Sequence, residues 1–141
     1  MPSERKPREA RKWTDGPPPT ILVVDDAEDT RLLYASYLSY AGLTVQEAGD
    51  GEEALAVVAK SPPDLVVMDL AMPHLDGWES TRRIKANPQT KDVCVIVVTS
   101  NAMPDQLAKA HAAGADAVLT KPCLPEVLFE SVCDVLRRRG R

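Results

Sequence analysis

The chain has 141 residues, 44% of them hydrophobic, 27% charged and 4% aromatic, the make-up of an ordinary globular protein with room for one domain and its core. A net charge of −4 gives no electrostatic reason to bind nucleic acid or an anionic membrane, and so few aromatic rings argue against a base-stacking platform. Cys94, Cys123 and Cys133 lack zinc-ligand spacing and form an odd set, which suggests reduced thiols in a cytoplasmic protein.

Residues 1–19 mix Pro2, Pro7 and Pro17 to Pro19 with scattered charges, and Trp13 is the large apolar group among them. Such a segment buries too little surface to offset its ordering entropy, so a disordered arm is expected. A docking arm built on Trp13, Arg8, Arg11 and Lys12 is the alternative. The arm has no apolar h-region of a secretory signal, and no run in the chain is long enough to insert into a membrane. The folded domain is expected over 20–137, with a basic tail at 138–141.

From Thr20, short apolar runs alternate with helical patterns. "TILVV" reads as a buried strand that ends in Asp25 and Asp26. "EDTRLLYASYLSYAG" reads as a helix stopped by Gly42, and "LTVQEA" alternates as a strand. Asp50 and Glu53 have the spacing to cap the helix "GEEALAVVAK". "DLVVMD" is a third strand, ending in Asp69, and "WESTRRIKA" is a short helix before Asn87-Pro88.

"VCVIVVTS" lacks polar alternation, so both its faces are expected to be buried. Pro104 opens the helix "PDQLAKAHAAG", Gly114 ends it, and "AVLTK" is the fifth strand. Pro125 opens the last helix, whose apolar stripe is Leu128, Val132, Val135 and Leu136. Alternation of this kind implies right-handed βαβ units, hence an α/β fold with a parallel sheet covered on both faces.

Ligands of open α/β sheets sit beyond the carboxyl ends of the strands. Asp25, Asp26, Asp69, Thr99, Ser100 and Lys121 all fall there. Like charges about 4 Å apart repel by on the order of 4 kcal/mol at an effective dielectric near 20, so three carboxylates together call for a cation. An all-oxygen set without His or Cys suits Mg²⁺ or Mn²⁺. The first βα turn has no phosphate-cradling glycines, and its acids repel a nucleotide or flavin phosphate. A carboxylate beside a cation, faced by Lys and Thr, suggests phosphoryl chemistry with Asp as the nucleophile.

The ordered set "VVDD", "DLVVMDLAMPHLDGWE", "VIVVTSNA" and "GADAVLTKP" resembles the receiver domains of two-component response regulators, from about Thr20 to Arg137. The resemblance implies a flavodoxin-like (βα)5 fold with strand order 2-1-3-4-5. It implies Asp69 as phosphoacceptor, served by a sensor histidine kinase or a histidine phosphotransfer protein, with a downstream protein as target. By the same resemblance Asp25, Asp26, Asp69 and the Ala71 carbonyl would hold Mg²⁺, and Lys121 would pair with the phosphoryl group before a cis bond to Pro122. Thr99 would move toward the phosphate and report it to the surface of helix four, strand five and helix five. Gly77 would support the tight exit into helix three.

Such a protein catalyses its own phosphorylation and is no conventional enzyme. With nothing after helix five to form an output domain, it reads as a stand-alone receiver. Two positions depart from the family pattern: Val118 stands where an aromatic residue usually couples phosphorylation to the output surface, and Cys123 stands where Phe is common. Ala71 and Asn101 flank the family's path for hydrolytic water; Ala71 cannot orient a water, which leans toward a long-lived phosphate.

Other readings are weaker. An aspartyl-phosphate phosphatase wants an acid where Ala71 stands, and a phosphorylation-independent scaffold has no use for the full charged set. His111 and His74 read as surface residues, and the run "RRRGR" as a helix-end cluster that favours the macrodipole.

Overall fold

A computed structural model describes residues 16–70 and 76–140. The elements alternate strictly: β1 Thr20–Val24, α1 Glu28–Tyr40, β2 Thr44–Ala48, α2 Gly51–Lys60, β3 Leu65–Asp69, α3 Gly77–Ala86, β4 Cys94–Thr99, α4 Pro104–Ala112, β5 Ala117–Thr120 and α5 Pro125–Arg138. All strand pairs are parallel, in the order β2-β1-β3-β4-β5. This is the flavodoxin-like arrangement implied by the motifs. Most of the proposed arm, residues 1–15, lies outside the described residues, as does Arg141.

Period-two side-chain alternation divides the core into two layers. Ile21 and Val23 of β1, Val67 of β3 and Ile96 of β4 pack with α1 and α5 through Leu38, Leu128, Phe129 and Val132. Leu22, Val24, Val66, Met68, Val95 and Val97 face the other way, toward Ala54 and Val58 of α2 and Ile84 of α3. The central strands are therefore apolar on both faces, which is why they read as continuous hydrophobic runs.

Helix ends follow local chemistry. Gly42 has φ 102°, its N–H reaches the Ser39 carbonyl at 3.0 Å, and the next N–H, of Leu43, reaches Leu38 at 3.1 Å. Those paired bonds form a Schellman stop, and Leu38 and Leu43 on either side of it both belong to the core cluster. Gly114, φ 99°, ends α4 in the same way, through bonds to His111 and Ala110 of 3.0 Å each. Asp50 caps α2 by accepting from the Glu53 N–H at 2.8 Å, while the Glu53 carboxylate receives the Gly49 N–H at 3.4 Å rather than that of the cap residue.

Strands β2, β3 and β4 each begin one residue later than the sequence reading, β4 also ends one residue earlier and α4 stops at Ala112, and three further differences have a local cause or bear on the site. Helix α3 begins at Gly77, one residue earlier than "WESTRRIKA", because Asp76 caps it by accepting the Glu79 N–H at 2.9 Å. Lys121 lies just past the end of β5. Helix α5 runs to Arg138, and the basic run is partly ion-paired: Arg138 to Asp134 at 3.1 Å and Arg139 to Asp116 at 3.7 Å.

Gly77 owes its place to a close approach. A Cβ there would lie 2.8 Å from the Cα of Leu70 and still closer to the Asp69 carbonyl, both backbone atoms at the end of β3. Gly77→Ala is expected to destabilise the domain by about 1–3 kcal/mol through overpacking, seen as a lower urea midpoint at unchanged slope. An unchanged midpoint would show that β3 and α3 separate freely.

Candidate functional site

Parallel register sets the site. Val24 pairs with Met68, Asp69 with Val98, and Thr99 with Thr120. The residues that follow or end these strands therefore meet at one level of the sheet edge. Carboxylate oxygens of Asp25, Asp26 and Asp69 all lie within 4.8 Å of one another. Asp25 and Asp69 are only 3% and 5% exposed, whereas Asp26 faces solvent.

Lys121 sits between the two buried acids, its Nζ 3.5 Å from Asp25 Oδ2 and 3.5 Å from Asp69 Oδ1. Its N–H donates to the Thr99 carbonyl at 2.8 Å, and its bond to Pro122 is cis. One ammonium faces three carboxylates, so negative charge is in excess. A hard divalent cation fits that donor set, which offers only oxygen.

Thr99 is buried on the same edge, with its hydroxyl engaged by its own loop. Oγ1 accepts the Asn101 N–H at 3.0 Å and lies 3.2 Å from the Asn101 carbonyl. Ala71, His74 and Leu75 lie outside the described residues. His111 is exposed; Cys94 and Cys133 are buried and Cys123 half-buried. Burial pushes the thiols of Cys94 and Cys123 up, so both are held in the neutral form. Val118 is half-buried and packs into the core layer beside α2 and α3.

Two residues of α1 that the sequence reading passed over also serve this edge. Arg31 donates from Nη1 to the Asp25 carbonyl at 2.9 Å and from Nε to Glu47 at 3.1 Å, which fixes the backbone under the paired acids. Tyr34 is buried and its hydroxyl donates to the Cys123 carbonyl at 2.8 Å, across 89 positions of sequence. Its pKa is pushed up to about 12, first by burial and then by repulsion of the phenolate from Cys123, once that thiol has ionised, and from Asp25 and Asp69. A tyrosine on the core face of an amphipathic helix was a signal in itself, because a buried phenol seeks a partner; its partner, a backbone carbonyl, leaves no mark in the sequence.

The model of the response regulator receiver domain matches residues 21–133. Phosphate regulon transcriptional regulatory protein PhoB of Pseudomonas aeruginosa is 36% identical over 121 residues, which cover 86% of this chain and 53% of that protein. The DNA-binding dual master transcriptional regulator RpaA of Synechocystis is 33% identical, over 87% of this chain and 51% of its own length. Among solved structures, chemotaxis response regulator CheY4 of Vibrio cholerae superposes with a TM-score of 0.80 at 31% identity, covering 84% of this chain and 98% of that one. Response regulator DrrB of Thermotoga maritima gives 0.78 at 30% identity, over 86% of this chain and 54% of its own.

The chain belongs to the response regulator receiver family. It spans about half the length of PhoB and RpaA. Receivers in general accept a phosphoryl group and bind Mg²⁺, and the acidic cluster is compatible with that. Among the described residues no helix is long and apolar enough to cross a membrane.

Tyr34 gives the site a pH signature. Its folded-state value lies above the ordinary 10.0, so the stability it contributes is whole below pH 10 and is lost as pH rises toward about 12. Urea unfolding of wild type and Tyr34→Phe should therefore converge across that window. Parallel pH profiles would rule out a protonated hydroxyl as the contributor.

Proposed function

We propose that this chain is a phosphoaccepting receiver in which Asp69 takes a phosphoryl group from a partner phosphohistidine with Mg²⁺ bound. The observation that carries this reading is the placement of Lys121 Nζ 3.5 Å from both Asp25 and Asp69, within a three-carboxylate cluster. The receiver domain is residues 20–137, with 1–19 an arm and 138–141 a basic tail whose first residue still belongs to α5.

An oxygen of Asp69 attacks phosphorus in line with the P–N bond of the phosphohistidine. As the O–P bond forms, the P–N bond breaks; its electron pair returns to the imidazole nitrogen, which takes a proton from solvent and leaves as neutral histidine. Lys121 neutralises charge on the equatorial oxygens, and the Thr99 hydroxyl donates to one of them after leaving Asn101. Asp25, Asp26, Asp69 and the Ala71 carbonyl would hold Mg²⁺. When bound, the ion supplies the positive charge that lets an anionic phosphoryl group enter an acidic site.

A sensor histidine kinase or histidine phosphotransfer protein is the donor, and a protein that distinguishes the two states of the receiver is the target. Val118 bears on the second of these. An isopropyl group packed into the core offers no ring to swing, so the signal leaves through Thr99, Asn101 and the start of α4. Nothing in the site favours the phosphatase reading, since Ala71 carries no acid. The scaffold reading leaves the buried, cation-paired Asp69 without a purpose.

Phosphorylation by acetyl phosphate, followed by intact mass, tests the chemistry. Wild type should gain one phosphoryl group only with Mg²⁺, and Asp69→Asn should gain none; equal labelling of the variant would move the acceptor elsewhere. Mg²⁺ should also stabilise wild type, by about 2.7 kcal/mol at a hundredfold excess over its Kd. A melting temperature indifferent to Mg²⁺ would remove the metal from the reading.

A further inference from the structure

The segment that carries Lys121 is fastened at both ends. On one side the Lys121 N–H is bonded to the Thr99 carbonyl at 2.8 Å. On the other, two residues on, the Cys123 carbonyl receives the Tyr34 hydroxyl, also at 2.8 Å. Side chains near these points bury little until α5 turns Leu128 and Phe129 into the core: Pro122 is exposed, Leu124 is 63% exposed and Val127 44%, and Cys123 is half-buried against the core. Hydrogen bonding therefore carries much of the fastening between Lys121 and the first turn of α5.

Tyr34 is well placed to do it. It is 4% exposed and belongs to the core cluster that holds Leu38, Leu128, Phe129 and Val132, so its hydroxyl has a fixed origin. The same helix holds the aspartate loop, through Arg31 N–H to Ala27 at 2.9 Å and Arg31 Nη1 to the Asp25 carbonyl at 2.9 Å. Helix α1 thus ties the acids of the β1 end to the lysine of the β5 end.

We propose that Tyr34 is a positioning residue for phosphoryl transfer: by holding the Cys123 carbonyl, its hydroxyl keeps the Lys121 ammonium between Asp25 and Asp69. The need for such a tether is physical. A lysine ammonium is a point charge on a flexible four-carbon stem, and two buried carboxylates attract it equally. If the backbone beneath it is free, the ammonium can settle on one acid and leave the position where transferred charge develops. Small displacements of this sort cost rate while leaving affinity alone. This inference rests on the reading of Asp69 as the phosphoacceptor.

The test is phosphorylation by acetyl phosphate, at saturating Mg²⁺ and below the melting temperature, of wild type, Tyr34→Phe, Lys121→Ala and the double variant. Tyr34→Phe keeps the ring and should melt cooperatively with unchanged Mg²⁺ affinity. Its rate constant at saturating donor should fall about tenfold with little change in KM. In the Lys121→Ala background the same substitution should have no further effect, because the residue acts through the lysine. A full rate in Tyr34→Phe overturns the inference, and so does an equal loss with and without Lys121, which is what a merely structural role would give. A wild type that takes no phosphoryl group overturns the phosphoacceptor reading and this inference with it; a labelled wild type matched by Tyr34→Phe overturns this inference alone.

Discussion

Carboxylate oxygens of Asp25, Asp26 and Asp69 lie within 4.8 Å of one another, and the sheet has to hold them there against their repulsion. The crowding follows from topology. Order β2-β1-β3-β4-β5 makes β1 and β3 neighbours, and matched registers bring Asp25 and Asp69 to the same edge. Both strands are apolar on each face and buried, so neither can slide away from the other without exposing core. Hydrophobic burial, non-directional and large in sum, thus enforces a local electrostatic arrangement that is unfavourable in itself. Lys121 offsets part of that cost, and the Ala27 N–H, 2.9 Å from Asp25 Oδ1, offsets a little more. What remains is an excess of negative charge that a cation would neutralise.

That balance also says where a change of charge would be felt. Lys121 and Thr99 come from the β5 and β4 side, and their backbones are bonded directly, N–H to carbonyl. Beyond Thr99 the chain passes through Asn101 into α4, whose one fully buried residue is Ala110. Helix α5, by contrast, buries Leu128, Phe129, Val132, Cys133, Val135 and Leu136. A pull on the Thr99 hydroxyl would therefore work against the less anchored of these two helices, where local rearrangement costs less.

The acids, Thr99 and Lys121 were legible because strand ends are legible: an unbroken apolar run that stops at a charge marks an edge of a parallel sheet. Their proximity was not contained in any single run; it came from the alternation of elements and the ordered motifs. The cap at Asp76, which starts α3 a residue early, was written in the sequence as Asp and Glu three apart, the same pattern that was read at Asp50. Gly77 was read as a tight exit, but its reason, the closeness of the β3 backbone, is a tertiary fact. Arg31 and Tyr34 were passed over because each binds a main-chain carbonyl, and every residue carries one of those.

Those two unnoticed residues bear on a general difficulty of such sites. The metal can gather its ligands only as well as the apo protein has placed them, and repulsion tends to splay them apart. A scaffold that relied on the ion for order would have to rebuild the edge at each binding event. Here α1 supplies order from outside the charged cluster. Arg31 grips the backbone beneath Asp25, and Tyr34 grips the backbone beyond Lys121. Neither bond uses a carboxylate oxygen of the cluster, so neither would compete with the cation and phosphoryl group proposed for it. Strand register sets the spacing of the charges, and a helix packed largely by apolar contacts steadies the backbone on either side of them.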